Sequence, residues 1–176
     1  MTPPPHTLIV NPNDPSAYPS IVRALNAAVD DDCVIIHPGT YNEALLLEKR
    51  VTLIGNGPLH QIRLHVTDQT PITINTETYS IENISIHHSG QQECFAIDIA
   101  FGAGIIAGCD VSSEGLACIS IHGTASPTIQ GTRIHNGHET GVMITGQSRA
   151  VIDGNMIFGN QYACLLYTSP SPRDRG

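Results

Sequence analysis

Ile106-Ala-Gly-Cys-Asp-Val111, Ile129-Gln-Gly-Thr-Arg-Ile134 and Ile152-Asp-Gly-Asn-Met-Ile157 are one phrase written three times, and Ile81-Glu-Asn-Ile-Ser-Ile86 is a looser copy. Their first residues stand 25, 23 and 23 positions apart. A second set of apolar residues keeps the same beat, as Ile97/Ile99, Ile119/Ile121 and Val142/Ile144. A fixed period in the twenties, carried by short alternating apolar runs with Gly, Asn and Ser between them, is what a stack of similar coils produces. A single repeat is too small to bury a core, so each must rest on its neighbours. In a strand, residues i and i+2 share a face. The phrases therefore predict inward pairs Ile84/Ile86, Cys109/Val111, Thr132/Ile134 and Asn155/Ile157, with Ser85, Asp110, Arg133 and Met156 outward. The small or polar members Cys109, Thr132 and Asn155 should form a corner ladder that satisfies backbone groups at a bend. Ile, Val and Thr dominate the phrases, which favours strands, and a β-sandwich would not repeat one phrase at constant phase. The expected fold is all-β, a parallel solenoid with one N-terminal capping helix.

Length, charge and cysteine usage bound the function. The 176 residues carry a formal net charge of −8, 16 Gly, 12 Pro, no Trp and 14% charged residues. With 40% apolar content this is a folded chain of one-domain size. The acidic balance argues against nucleic acid as a partner, since its backbone selects for Lys and Arg patches. No run approaches the length of a membrane span. The opening Met-Thr-Pro-Pro-Pro-His has neither the basic nor the apolar region of a secretory signal, and the expected location is cytoplasmic. Cysteines 33, 94, 109, 118 and 164 form no CxxC pair and read as small core residues in a reducing compartment.

Taken in order, residues 1–7 are a Pro-rich lead-in and Leu8–Val10 a first strand. Ser20–Val29 predicts a helix of about ten residues with Ile21, Leu25, Ala28 and Val29 on one face, ended by Asp30-Asp-Asp32. Such a helix can cover the first coil, whose open edge would otherwise recruit another chain. Strands follow at Cys33–His37, Ala44–Leu47, Val51–Ile54, Ile62–Val66 and Ile72–Asn75.

The order of helix, Val34-Ile-Ile-His-Pro-Gly-Thr-Tyr-Asn-Glu43, short strand and Lys49-Arg-Val-Thr-Leu-Ile-Gly-Asn-Gly57 resembles the opening of right-handed parallel β-helix proteins of the pectin-lyase-like class. The later coils resemble the repeats of F-box-associated β-helix proteins and their bacterial relatives, in which the repeat region is a binding module. This resemblance covers about residues 8–163 and implies a right-handed coil. Gly39-Thr-Tyr41-Asn-Glu43 is similar to the G-x-Y-x-E segment of pectin methylesterases, but segments resembling their Q-D-x-L-Y, D-F-I-F-G and L-G-R-P-W are not found. The expected role of the segment is structural: Gly39 in the turn, Tyr41 packed, Glu43 facing water.

Cys164-Leu-Leu-Tyr-Thr-Ser-Pro-Ser-Pro-Arg-Asp174 resembles the translation of a transposon-end sequencing adapter, which encodes it without a mismatch. Residues 164–176 are accordingly set aside as a non-native tail, and 8–163 read as a β-helix domain cut at its C-terminus. Open strand edges there would invite edge-to-edge self-association.

Three patterns could carry chemistry. Asp98, Asp110 and Asp153 could bind calcium only if their oxygens converged, and the register puts them in different columns or two coils apart. Asp110 and Arg133 instead occupy equivalent outward positions of successive coils and should form an exposed ion pair. His87 and His135 share a column two coils apart, about 10 Å at strand spacing, too far for one metal ion. No metal, cofactor or catalytic residue is assigned. The residues left are a ligand-facing stripe of His87, Ser112, His135 and Phe158, flanked by Asp110 and Arg133. The expected function is a non-catalytic binding or scaffold module recognising a protein or polysaccharide on a flat face. The alternative is a carbohydrate-active enzyme of lyase, esterase or hydrolase type, with its site on coils outside this chain.

Overall fold

A computed structural model describes residues 4–90 and 93–168. The chain enters as β1 (Thr7–Val10), forms helix α1 (Ile21–Ala27), and then winds. The first full coil is β2 (Cys33–Ile36), β3 (Gly39–Tyr41) and β4 (Leu45–Leu47), and the second β5 (Thr52–Gly55), β6 (Ile62–Thr67) and β7 (Ile72–Asn75). The third is β8 (Ser80–Glu82), β9 (Ser85–Ser89) and β10 (Phe95–Phe101), and the fourth β11 (Ile105–Ala107), β12 (Asp110–Ser113) and β13 (Ala117–Ile121). The fifth is β14 (Thr128–Gln130), β15 (Arg133–His135) and β16 (Thr140–Ile144), and the last β17 (Val151–Asp153), β18 (Met156–Phe158) and β19 (Ala163–Tyr167). Each strand of a coil joins a different parallel sheet. Sheet A runs β1-β2-β5-β8-β11-β14-β17, sheet B β3-β6-β9-β12-β15-β18 and sheet C β4-β7-β10-β13-β16-β19. The result is a right-handed parallel β-solenoid of about seven turns, with a single α-helix among the described residues.

The register is the one the phrases predict. Ile81, Ile106, Ile129 and Ile152 pair in succession on sheet A. Leu64, Ile86, Val111, Ile134 and Ile157 do so on sheet B, and Ile97, Ile119 and Val142 on sheet C. These columns meet in one apolar cluster along the axis. Between sheets A and B the chain turns through a left-handed residue at Asn83, Gly108, Gly131 and Gly154, with φ of 57°, 60°, 54° and 63°. That conformation costs an ordinary side chain about 1 kcal/mol or more and Gly almost nothing, which is why the phrase repeats its glycine.

The polar corner ladder forms beside this bend. The Cys109 N–H donates to Thr132 Oγ1 at 3.3 Å, and the Thr132 N–H donates to Asn155 Oδ1 at 2.9 Å. Thr132 Oγ1 donates to the Gln130 carbonyl and Asn155 Nδ2 to that of Ile129. Thr132 thus satisfies a backbone group of the preceding coil and one of its own bend, while Asn155 satisfies two of the preceding coil.

The helix departs from expectation. It ends at Ala27, and Val29 is 48% exposed, while Ala24 joins Ile21, Leu25 and Ala28 in the core. The acidic run does not simply repel the helix end: Asp32 is 2% exposed and accepts the N–H groups of Val29 and His6. Glu43 does not face water either. Its carboxylate accepts the N–H groups of Ile21 and Val22, while Lys49 Nζ donates to the carbonyls of Leu25 and Ala28 at the other end. The two connections that flank β4 in the first coil thus hold the two ends of α1 with charges of the favourable sign.

The cysteines are all free, with Cys109 and Cys118 buried, Cys33 and Cys94 half-buried and Cys164 exposed, so the core reading fits only two of them well. Burial pushes their thiols up, to about 11 for Cys109 and about 12 for Cys118. Residues 163–167 continue sheet C in phase, with Leu165 on Val142 and Tyr167 on Ile144. Residues 1–3 of the lead-in and 169–176 of the tail lie outside the described residues. Among the described residues no helix is long and apolar enough to cross a membrane.

A candidate binding face on sheet B

The outward side chains of sheet B form two adjacent columns, because every ladder in the sheet is parallel and in register. One runs Thr40, Arg63, Ser85, Asp110, Arg133, Met156. The other runs His65, His87, Ser112, His135, Phe158. All six stripe residues identified in the sequence fall on these neighbouring columns.

The contacts within them are close. His87 Nδ1 lies 2.6 Å from Ser112 Oγ, and His135 Nε2 lies 2.7 Å from Asp110 Oδ1. The His135 ring stacks on Phe158 with centroids 4.9 Å apart and planes 6° from parallel. The Arg133 guanidinium carbon sits 5.4 Å from the Phe158 centroid, and its Nε is 3.7 Å from Asp110 Oδ2. Asp110 therefore bridges Arg133 and His135. The expected ion pair forms, and His135 is the stronger partner by distance.

The column begins earlier than the stripe read from the phrases. His65 packs its ring against His87 with centroids 4.9 Å apart and shares a hydrogen bond with Ser89 Oγ at 2.9 Å. Ser89 in turn meets Thr67 Oγ1 at 2.9 Å, and Asn42 Nδ2 donates to the His65 carbonyl. His65 lies in the coil without a clean phrase. Its one signal is alternation, since Leu64 and Val66 point inward and fix His65 outward beside His87.

Electrostatically the face is mixed. Burial, with the neighbouring His65 as a second cause, holds the His87 imidazole below its ordinary value, and Glu114 pulls the other way. Asp98, Asp110 and Asp153 lie on sheets C, B and A respectively, so the three carboxylates do not converge. Among the described residues no group of three or more His, Cys, Asp or Glu side chains is arranged to hold a metal ion. Gly39, Tyr41 and Glu43 are far from a reactive cluster in role: Tyr41 is buried and donates to the His37 carbonyl at 2.6 Å, and burial pushes its phenol up to about 12.

Comparison with known proteins bears on the fold. The profile described as "Right handed beta helix region" matches residues 70–173. Among solved structures, a pectin methylesterase from Aspergillus niger is similar at 13% identity, over 98% of this chain and 88% of that one, with a TM-score of 0.42. A search of curated proteins finds no match.

Proposed function

We propose that this chain, which belongs to the right-handed β-helix family, is a binding module that holds a linear polysaccharide along the outer face of sheet B. The observation that carries this reading is the unbroken column His65, His87, Ser112, His135, Phe158 beside Arg63, Ser85, Asp110 and Arg133. Coils stack about 4.8 Å apart, close to the rise of one sugar per residue in an extended glycan. Imidazole, hydroxyl, carboxylate and guanidinium groups then recur at each step as hydrogen-bond donors and acceptors. The stacked pair His135 and Phe158, with Arg133 beside it, supplies apolar ring surface and donors against which sugar rings can rest. A long shallow face of this kind suits a polymer better than a compact small molecule, which prefers a concave pocket. Acid/base chemistry on sugars calls for a pair of carboxylates flanking one bond. Three aspartates on three sheets do not supply it, which favours binding over the enzymatic alternative.

Calorimetric titration with soluble linear glycans, one neutral and one polyuronate, tests the proposal. Binding should weaken about tenfold or more in a His135→Ala/Phe158→Ala variant, about 1.4 kcal/mol, with the circular dichroism unchanged. Failure of every glycan to bind, or equal binding by the variant, would overturn it, and saturable capture of a protein would point to the other ligand class.

A further inference from the structure

The part of the sheet B face that lies on β6 and β9 gathers basic side chains without a counter-charge. His65 packs against His87 of the next coil, and Arg63 stands two residues before His65 on the same outward side of β6. Farther along, Asp110 holds both Arg133 and His135. Arg63, His65 and His87 have no such carboxylate, and none of them makes an ion pair among the described residues. The neighbouring Glu114 is engaged by the Gly90 N–H at 2.8 Å. Each of the two imidazoles has one nitrogen held by a hydroxyl: His65 Nε2 lies 2.9 Å from Ser89 Oγ, and His87 Nδ1 lies 2.6 Å from Ser112 Oγ. The second nitrogen of each ring has no partner among the described residues. Protonation turns it into a free N–H donor.

We infer that Arg63, His65 and His87 form a subsite for a tetrahedral oxyanion, a sulfate or phosphate ester carried by the polymer, and that protonation of the imidazoles opens it. This rests on the reading of sheet B as a glycan-binding face. Such an ester offers three oxygens, one for each of the three side chains, whereas a planar carboxylate is satisfied by a single guanidinium fork. Burial first, then the neighbouring His65, holds the His87 imidazole below its ordinary value; His135 and Arg63 add to this and Glu114 opposes. Asp110 is occupied by Arg133 and His135, and Asp68, beyond the end of β6, acts on the inward His88. His87 is therefore neutral in the free protein at about pH 7. A bound oxyanion supplies the missing attraction and raises its pKa, so binding takes up protons. The gain in affinity is fully present below the free value and is lost as pH rises through the value in the complex. Elsewhere a chain of net charge −8 repels a polyanion, which confines the ligand to this patch.

Calorimetric titration of the whole chain with a soluble neutral glucan and with the sulfated form of the same glucan tests this, since a sulfate ester keeps its charge across the pH range used. From about pH 7.5 to about pH 5.5 the affinity for the sulfated polymer should rise about tenfold or more, with about one proton taken up per site. The uptake is read from the heats in two buffers of different ionisation enthalpy. The neutral polymer should show no such rise. In a His65→Asn/His87→Asn variant the pH dependence should flatten, and Arg63→Gln alone should weaken the sulfated polymer about tenfold, with circular dichroism confirming the fold of each. Neutral binding with no gain for the sulfated form at the acid end, a pH dependence that survives in the double variant, or the absence of proton uptake would each overturn the oxyanion site and leave the glycan face standing. Failure of both polymers at every pH would remove the face and the site together. Inorganic sulfate binding as tightly as the polymer would assign the site to a free anion and overturn the polymer-borne ligand.

Discussion

The Glu43 carboxylate lies 2.7 Å from the backbone nitrogen of Val22 and closes the start of a helix 21 residues earlier in the chain. Its second oxygen takes the Ile21 N–H at 3.1 Å, and Ser20 Oγ takes that of Arg23 at 3.2 Å. Three N–H groups that a helix leaves unsatisfied thus have acceptors, two of them from one negative charge at the positive end of the dipole. Glu43→Ala should lower stability by about 1–2 kcal/mol, read as a shift in the urea midpoint at constant slope. Glu43→Gln should recover part of it, and no change in either variant would mean that water replaces the cap at no cost.

Lys49 makes the reciprocal contact. Its ammonium lies 2.8 Å from the Leu25 carbonyl and 2.7 Å from that of Ala28, where the helix C-terminus is negative. Lys49→Met keeps the apolar stem and removes the donors. A loss of about 1 kcal/mol is expected, with the helix, rather than the sheets, losing protection in amide hydrogen exchange.

The two caps show where sequence reading stops. Columns such as Val111, Ile134 and Ile157 were legible because period-2 alternation and a constant repeat fix both face and register by local rules. The corner ladder followed from the same repeat, since small polar residues at one phase of a buried strand can only bond the bend. Glu43 and Lys49 follow no local rule. Each bonds a helix more than 20 residues away, and only the handedness of the first coil brings them there. Val29 was misassigned because the helical period was extrapolated past the point where Asp32 captures the Val29 N–H and turns the chain. His65 was missed because its coil lacks the glycine phrase, although its strand alternates like the others.

Thr132 occupies the middle rung of the polar ladder. It is buried, its hydroxyl accepts from Cys109 and donates to Gln130, and it has an apolar isostere. Thr132→Val should cost about 1–3 kcal/mol, the penalty for leaving a buried N–H and carbonyl unpaired. Thr132→Ser should cost less. A Val variant as stable as the parent in chemical denaturation would show that the rung packs rather than bonds.

His88 points into the solenoid next to Ser113, with Nδ1 and Oγ 3.0 Å apart, and its Nε2 has no partner among the described residues. Burial, then the neighbouring His87, holds its pKa below 6.5, and burial does the same for His87, with Glu114 opposing in both cases. The unfolded chain, whose histidines titrate near 6.5, therefore binds more protons than the folded one below that pH. Stability is fully present above 6.5 and is lost as pH falls from there toward the lowered folded values. Asp32, held below 3.8 by the N–H groups of Val29 and His6, acts in a separate window beneath 3.8. The urea midpoint should fall between about pH 7.5 and about pH 5, and His88→Gln should make that fall shallower. An identical slope in the variant would assign the loss elsewhere.

The interior columns are uneven along the axis. Ile129 is fully buried in β14, whereas Ile152, its neighbour in the same column, is only partly covered, since β17 is the last strand of sheet A among the described residues. Truncating a buried Ile removes its transfer energy and leaves a cavity, so Ile129→Ala should cost about 2–5 kcal/mol. Ile152→Ala removes less buried surface and opens a site that water already reaches, so in dilute solution it should cost less than about half as much. Equal losses at the two positions would place both in the same environment and contradict the difference in burial.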